Sequence, residues 1–334
     1  MDLTLIWAAI IALAIAAYVV LDGFDLGLGI LFPLFPRKAD RDVIMNSVAP
    51  VWDGNETWLV LGGGGLFAAF PLAFAILMPA LYLPIFAMLL ALIFRGVAFE
   101  FRWRSNGDRS RWDHSFIWGS VVATFFQGVI LGAVLQGVEV EGRSYAGGPL
   151  DWCTAFSILT GLALVAGYGL LGATWLVMKT NGTLQDHARR LAWPLAAATI
   201  FFIGALSLAT PALEPAYFER WLSMPNLLLT APVPLAVGLI AFLLFRSLTV
   251  HRHEYRPFVL ALSLFGISFL GLGISVYPYV VPARITIWQA ATPHISQSFL
   301  LVGTMILLPC IIAYTAYAYW VFRGKVDPDQ GYHS

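Results

Sequence analysis

Long apolar stretches, separated only by short polar segments, dominate the sequence. A helix needs about 20 mainly apolar residues to cross the roughly 30 Å hydrocarbon layer of a bilayer. Nine stretches meet this requirement, and they cover residues 3–26, 57–75, 78–99, 116–136, 155–178, 191–209, 227–245, 258–277 and 298–321. The chain is therefore predicted to be an all-α, polytopic membrane protein of about nine transmembrane helices, forming a single transmembrane domain over residues 1–334.

The composition excludes several other classes of protein. Charged residues make up 11% of the chain, less than half of the roughly 25% that is usual in globular proteins. The 19 basic and 19 acidic residues balance, so no basic excess indicates a nucleic-acid partner. The first apolar stretch is longer than the hydrophobic region of a signal peptide and follows no basic segment, which predicts an uncleaved span.

The boundary between the second and third spans depends on two prolines. No charged residue separates these spans, but Pro71 and Pro79 interrupt a stretch of 43 residues, which is long enough for two crossings. Dividing the stretch between residues 75 and 78 gives the count of nine.

The distribution of basic residues predicts the orientation of the spans. With nine crossings and an external N-terminus, 15 of the 19 Lys and Arg residues fall in the odd-numbered loops and the C-terminal tail, and three fall on the other side. Loops rich in Lys and Arg remain on the cytoplasmic side of a membrane. The N-terminus is therefore predicted to be periplasmic and the C-terminus cytoplasmic.

Several ionisable residues lie inside the first three spans or at their ends. This placement is costly, because a charge at the centre of a membrane helix costs about 2.5–3.5 kcal/mol on insertion scales. The predicted topology brings all of them to the cytoplasmic side. They are Asp22, Asp25, Asp53, Glu56, Arg95 and Glu100.

Two interpretations of these residues remain open. Carboxylates gathered at the low-dielectric end of a membrane bundle suit proton transfer, which predicts a proton entrance from the cytoplasm. The alternative is structural: Asp53 would cap the second span, and Asp22 and Asp25 would pair with Arg37 or Arg95.

Residues that commonly bind metals are not arranged for that role. A cytochrome subunit that holds its own haem needs axial His or Met ligands inside the bundle. Each of the six histidines is instead predicted to lie in a loop or the tail: His114, His187, His251, His253, His294 and His333. Cys153 and Cys310 are predicted to be unpaired, buried thiols. We therefore expect this chain to hold no metal and no cofactor by itself.

Three motifs resemble those of one family of membrane oxidases. They cover residues 21–29 (LDGFDLGLG), 46–59 (NSVAPVWDGNETWL) and 94–102 (FRGVAFEFR). Together they resemble subunit II of cytochrome bd-type quinol oxidases. The Glu-Thr pair at 56–57 and the third motif are similar to the cyanide-insensitive branch of this family.

The resemblance implies a function as part of a complex in the bacterial inner membrane. Such complexes oxidise quinol and reduce dioxygen to water in a respiratory chain. A partner, subunit I, holds haem b558, haem b595 and haem d and carries the quinol site. The resemblance leaves open a third partner, a small single-helix subunit.

The resemblance also implies roles for individual residues. In the family, a proton path from the cytoplasm follows the interface between the two subunits, and Asp53, Arg95 and Glu100 match its positions. Asp25 and Asp22 match a further acidic motif of the first span. Trp52 either packs near the haems or serves as an interfacial aromatic residue.

Two other functions are compatible with parts of the sequence. Nine spans with a charged cytoplasmic entrance fit a proton-coupled membrane transporter, although such folds usually contain paired repeats. An assembly subunit without a redox role would use the same charges only to stabilise the bundle.

Overall fold

The computed structural model of the chain describes residues 2–105 and 109–327. Almost all regular structure in these residues is helical. The helices are α1 (Leu3–Leu31), α2 (Lys38–Asn46), α3 (Trp52–Ala69), α4 (Pro71–Ala80), α5 (Tyr82–Arg104), α6 (Ser110–Gln136), α7 (Ala155–Lys179), α8 (Gly182–Ala209), α9 (Pro215–Leu222), α10 (Asn226–Thr230), α11 (Pro232–Thr249), α12 (Arg256–Val276), α13 (Ile287–Ala290) and α14 (His294–Val321).

Eight of the described helical segments are long and apolar enough to cross a membrane, and α3 and α4 together form a ninth candidate. The prediction of a polytopic all-α membrane protein is therefore confirmed. The described residues also form two short antiparallel hairpins: β1 (Val140–Glu141) pairs with β2 (Ser144–Tyr145), and β3 (Tyr279–Val281) pairs with β4 (Ile285–Thr286).

The second and third spans are separate, as predicted, but they divide at Leu81 rather than between residues 75 and 78, and the second span is itself broken at Phe70. Helix α3 ends at Ala69, and α4 leaves it at an angle of 119° before α5 begins at Tyr82. Phe70 has φ −129° and ψ 60°, outside the helical region, because the residue before a proline avoids the α conformation. Pro71 then occupies the first position of a new helix, where its missing N–H is not needed.

Three histidines lie in helices rather than in loops, which corrects the sequence prediction. His114 is in the second turn of α6, His187 is in α8, and His294 is the first residue of α14. These helices begin before the apolar stretches do, so their polar first turns were assigned to loops. His333 lies outside the described residues.

Helix α1 is the central helix of the bundle and packs against α3, α6 and α7. Its contact with α7 is a close backbone approach at Gly27 and Gly172. A Cβ atom on Gly27 would lie 1.9 Å from the carbonyl oxygen of Tyr168, so no larger residue fits there without moving a helix. Small residues of this kind allow membrane helices to pack closely.

Helix α14 is attached mainly at its two ends. Near its start, Gln297 is buried and donates to Thr4 of α1, and Trp7 donates to the Gln297 carbonyl. Near its end, Tyr319 donates to Asn55 of α3. Most side chains between these points are exposed in the isolated chain. Cys310 lies in this part, and both it and Cys153 are unpaired and exposed, which corrects the expectation that the thiols are buried.

Candidate functional site

Arg95 and three carboxylates form a buried ion cluster at one end of the bundle. Arg95, on α5, is fully buried, and its Nη1 lies 2.5 Å from Oε1 of Glu56 and 2.9 Å from Oδ1 of Asp22. Its Nη2 lies 3.6 Å from Oδ2 of Asp25. We call Asp22, Asp25, Glu56 and Arg95 the Arg95 cluster.

The local structure explains why these side chains meet. Asp22 and Asp25 are three residues apart within α1, so they project from the same face of that helix. Glu56 lies in the second turn of α3, and α3 packs along α1. The sequence left Arg37 and Arg95 as alternative ion-pair partners of Asp22 and Asp25. In the structure both aspartates pair with Arg95, and Arg37 pairs with Asp40 instead.

The three carboxylates differ in their access to solvent. The side chains of Asp22 and Asp25 are 1% and 0% exposed, whereas that of Glu56 is 26% exposed. Glu56 therefore joins the buried part of the cluster to the surface of the chain.

Two polar residues on other helices support Asp25. The Asn55 amide nitrogen donates to Oδ2 of Asp25 at 2.8 Å and to the carbonyl of Leu21 at 3.2 Å. The hydroxyl of Tyr319 donates to Oδ1 of Asn55 at 2.9 Å. The site thus draws on α1, α3, α5 and α14.

Aromatic rings cover Arg95 on a further side. Trp52 stacks on Phe99 with ring centroids 4.8 Å apart. The guanidinium carbon of Arg95 lies 6.0 Å from the Trp52 ring and 5.6 Å from the Phe99 ring, within the range of cation–π attraction. In this chain, Trp52 therefore limits access of water to the guanidinium.

Asp53 and Glu100 are not part of the buried cluster. Asp53 is exposed in the first turn of α3, where a carboxylate interacts favourably with the helix dipole but makes no capping hydrogen bond. The Glu100 side chain is 44% exposed and pairs with Arg104 at 3.3 Å. Asp53 precedes Glu56 by three residues on α3, so the two carboxylates lie on the same side of that helix.

The charges of the Arg95 cluster do not balance. Three carboxylates share one guanidinium, and the described residues form no ion pair between the cluster and a second cation. Burying an unpaired charge is costly, and ionisable groups avoid this cost by taking up or releasing protons. The arrangement can therefore bind and exchange a proton.

A second buried network was not predicted from the sequence. Arg102, also on α5, is fully buried, and its Nε and Nη1 lie 2.6 Å from Asp113 and 2.7 Å from Asp42. Arg41 joins the same Asp113 at 3.0 Å. Arg95 and Arg102 are seven residues apart, a spacing that places both on one face of α5 and could have revealed this network.

Two of the described histidines, which by their chemistry could ligate a haem, make other contacts. Among residues 2–105 and 109–327, no group of three or more His, Cys, Asp or Glu side chains is arranged to hold a metal ion. His187 packs on Phe35, and Nδ1 of His114 bonds the Ser110 carbonyl. A cavity of about 260 Å³ beside the β1–β2 hairpin is lined by Gln136, Tyr145 and Asp151 but by no histidine or methionine.

Outside the membrane-spanning helices, burial and hydrogen bonds shift the pKa values of two groups that fix local structure. Burial raises the pKa of Tyr145 to about 12, and its hydrogen bond to Asp151 acts in the same direction. The hydrogen bond from Lys325 lowers the pKa of Glu254. These groups hold the hairpin and the C-terminal segment in place.

Known proteins share both the sequence and the fold of this chain. Cytochrome bd-I ubiquinol oxidase subunit 2 of Escherichia coli (strain K12) is 28% identical, over 99% of this chain and 98% of that protein. Cytochrome bd ubiquinol oxidase subunit 2 of Bacillus subtilis (strain 168) is 27% identical, over 96% of each chain.

A solved structure and a family profile extend this comparison. A chain of the bd oxidase from Geobacillus thermodenitrificans superposes with a TM-score of 0.75 at 18% identity, over 96% of this chain and 99% of that chain, which confirms the fold. The profile of the family described as cytochrome bd terminal oxidase subunit II matches residues 3–322. Because this match covers nearly the whole length, the chain belongs to the family of cytochrome bd terminal oxidase subunit II.

Proposed function

We propose that this chain is the second subunit of a cytochrome bd-type quinol oxidase, which oxidises quinol and reduces dioxygen to water. Membership of the family makes the chain part of a complex that contains haem and a first subunit. Within that complex, the chain supports the haem-bearing partner and provides a path for protons. The observation that carries the proposal is the Arg95 cluster, which is buried except at Glu56.

In this proposal, protons enter from the cytoplasm at the exposed carboxylates. Asp53 and Glu100 collect protons at the surface of the chain, and Glu56 passes them to the buried carboxylates. Arg95 stabilises the ionised forms and keeps the entrance polar. Trp52 and Phe99 exclude bulk water from one side of the guanidinium, which keeps the site at low dielectric.

The haems belong to the partner in this proposal. The histidines that the structure describes lie near helix ends or in loops, which supports placing haem b558, haem b595 and haem d in subunit I together with the quinol site. The apolar bulk of this chain would separate the haems from water and lipid.

The same proposal includes the location of the complex. The excess of Lys and Arg in the odd-numbered loops supports a periplasmic N-terminus and a cytoplasmic C-terminus in a bacterial inner membrane. The Arg95 cluster then faces the cytoplasm, the side from which the protons are taken.

Replacing one entrance carboxylate tests the proposal. We expect Asp53→Asn to lower oxygen consumption of the purified complex, because a proton-transfer group is lost, while haem content stays unchanged. Glu56→Gln should act in the same direction. The measurements are quinol-driven oxygen uptake and the absorption spectrum of the haems.

A matched variant controls for nonspecific effects. Glu141 is exposed in the β1–β2 hairpin, at the opposite end of the bundle in the proposed topology. Glu141→Gln should leave oxygen uptake unchanged. Unchanged uptake in Asp53→Asn and in Glu56→Gln would contradict the proton path, and loss of haem together with activity would indicate a structural role.

One feature of the fold also occurs in transporters. The break between α3 and α4 resembles the discontinuous helices from which transporters build their sites. A reduced-minus-oxidised absorption spectrum of protein purified through a tag on this chain separates the two functions. Haem bands with a co-purifying partner support the oxidase, whereas transport activity from a haem-free chain would support the transporter.

A further inference from the structure

Asp25 is the carboxylate of the Arg95 cluster that lies farthest from the Arg95 guanidinium. Glu56 and Asp22 form ion pairs with Nη1 at 2.5 Å and 2.9 Å, whereas Asp25 lies 3.6 Å from Nη2. Glu56 also accepts a hydrogen bond from Nη1, and Asp22, whose two oxygens have no hydrogen-bond partner, depends on its short ion pair with Arg95 to remain ionised. Oδ1 of Asp25 is buried and has no hydrogen-bond partner. An ionised carboxylate in such a position would be stabilised by a single donor, the Asn55 amide.

Two carboxylates and one guanidinium surround Asp25. Asp22 lies on the same helix, and Glu56 of α3 and Arg95 of α5 belong to the same ion cluster. The Tyr319 hydroxyl of α14 lies behind the Asn55 amide. A single positive charge thus faces three carboxylates, and two of these are closer to it than Asp25 is.

Asn55 and Tyr319 hold the Asp25 side chain in this position. Because the tyrosine hydroxyl donates to Oδ1 of Asn55, the amide nitrogen is left to point at Asp25. The nitrogen also donates to the carbonyl of Leu21, one turn before Asp25 on α1, which restrains the amide further. These residues contact a proton-binding group without exchanging protons themselves, so they are positioning residues.

We propose that Asp25 stores a proton, as a neutral carboxylic acid at neutral pH held in place by Asn55 and Tyr319, while Asp22 and Glu56 share Arg95 as carboxylates. Asp25 is loaded from Glu56: when a protonated Glu56 gives its proton to an ionised Asp25, Glu56 becomes the carboxylate and Asp25 the acid. The charge of the cluster does not change in this exchange. The use of the stored proton rests on the proposed function, but the protonation itself does not.

Infrared spectroscopy of the purified complex tests this inference directly. A buried carboxylic acid gives a C=O stretching band that is distinct from carboxylate bands and shifts in D₂O. In the difference between wild type and Asp25→Asn at neutral pH, we expect the loss of one such band. Glu141→Gln, which alters an exposed carboxylate outside the cluster, should give no such loss.

A second variant separates positioning from folding and keeps all the charges. Tyr319→Phe removes only the hydroxyl that orients Asn55, so the Asp25 band should shift in frequency without being lost. Tyr314 lies on the same helix and is 63% exposed, and Tyr314→Phe should leave the band in place.

The outcomes are distinct. A band that persists in Asp25→Asn and disappears in Asp22→Asn would overturn the assignment to Asp25. An unchanged band in Tyr319→Phe would overturn the positioning role. Since the infrared readout does not depend on turnover, the proposed function can fail through unchanged oxygen uptake in Asp53→Asn while the stored proton is still detected.

Discussion

At the scale of single residues, Arg95 is the one cation that three carboxylates share among the described ion pairs. It forms ion pairs with Asp22, Asp25 and Glu56 and has no exposed surface. A buried ion pair adds little stability over apolar packing, but removing one partner leaves the other charge uncompensated. The stability of α1, α3 and α5 as a unit therefore depends on this side chain.

We expect Arg95→Gln to destabilise the chain by about 3–5 kcal/mol, because the buried carboxylates lose their cation. The measurements are the yield of assembled complex and its thermal unfolding. Arg104→Gln is the matched control, since Arg104 belongs to the same helix but its side chain is 71% exposed. That control should change stability by less than about 1 kcal/mol, and equal losses in the two variants would contradict the prediction.

The residues of the site were only partly predictable. The gathering of Asp22, Asp25, Glu56 and Arg95 followed from helix spacing and from the predicted topology. Asn55 and Tyr319 were missed because they are 264 residues apart, and no local pattern links an amide on one helix to a hydroxyl on another.

At the scale of helices, basic side chains stabilise several C-termini in this fold. Lys179 of α7 donates to the carbonyls of Phe322 and Gly324 after α14. Arg220 of α9 donates to the carbonyls of Ile274 and Ser275 at the end of α12. Arg189 of α8 donates to the carbonyl of His253, in the segment that follows α11. A positive charge at these ends satisfies free carbonyls and opposes the negative end of the helix dipole.

The contact between α1 and α7 should be intolerant of side chains. We expect Gly27→Ala to lower the free energy of unfolding by about 1–3 kcal/mol, the usual cost of overpacking. The reason is that the new methyl group would clash with the backbone of α7. Gly63→Ala of α3 is the control, since a Cβ atom there meets nothing within 4 Å in the isolated chain. Thermal unfolding in detergent distinguishes them, and a tolerated Gly27→Ala would show that α1 and α7 can separate.

The C-terminal segment should detach at acid pH. Lys325 lies 2.7 Å from Glu254, and this hydrogen bond lowers the pKa of the carboxyl. Because the pKa of Glu254 is lowered, its pair with Lys325 fully stabilises the docked segment at pH values above the ordinary pKa of 4.5. This stabilisation is lost as the pH falls through the lowered pKa. The protection of the amides of residues 322–327 from hydrogen exchange, relative to the intrinsic rate at each pH, should therefore fall below about pH 4.5. Lys325→Ala should show this fall at neutral pH, and protection independent of both changes would contradict this docking.

The positions of helices were more predictable than their ends. Apolar stretches located each long helix because hydrophobic length is a strong signal. The break at Phe70 was missed because proline has opposite effects inside a helix and at its first position, and the sequence does not reveal which applies. The starts of α6, α8 and α14 were missed because polar residues form their first turns.

At the scale of the whole molecule, the orientation in the membrane can be tested with the native cysteines. Cys153 is exposed in the segment between α6 and α7, which the proposed topology places outside the cytoplasm. A membrane-impermeant maleimide should label it in intact spheroplasts, and Cys153→Ser should abolish this labelling. Labelling only after permeabilisation would indicate the opposite orientation.

The fold class and the family followed from the whole sequence more readily than the details of the site did. The nine apolar stretches, which span the chain, were sufficient to predict the fold class. The three motifs, which lie in the first 102 residues, were sufficient to predict the family. Arg102 shows the limit of this approach. It was counted as a loop charge, because hydropathy does not separate a buried ion pair from a solvated one.

The spread of the Arg95 cluster along the chain has a consequence for biosynthesis. The ribosome produces α1, with its two aspartates, about 70 residues before it produces Arg95. During that interval the nascent helix lacks Arg95, the cation that pairs with Asp22 and Asp25 in the folded chain. We expect it to enter the bilayer with those residues protonated, or to remain at the interface until α5 emerges. Insertion of this chain is thus expected to proceed in groups of helices, with α1 becoming stable in the membrane only when a helix made later joins it.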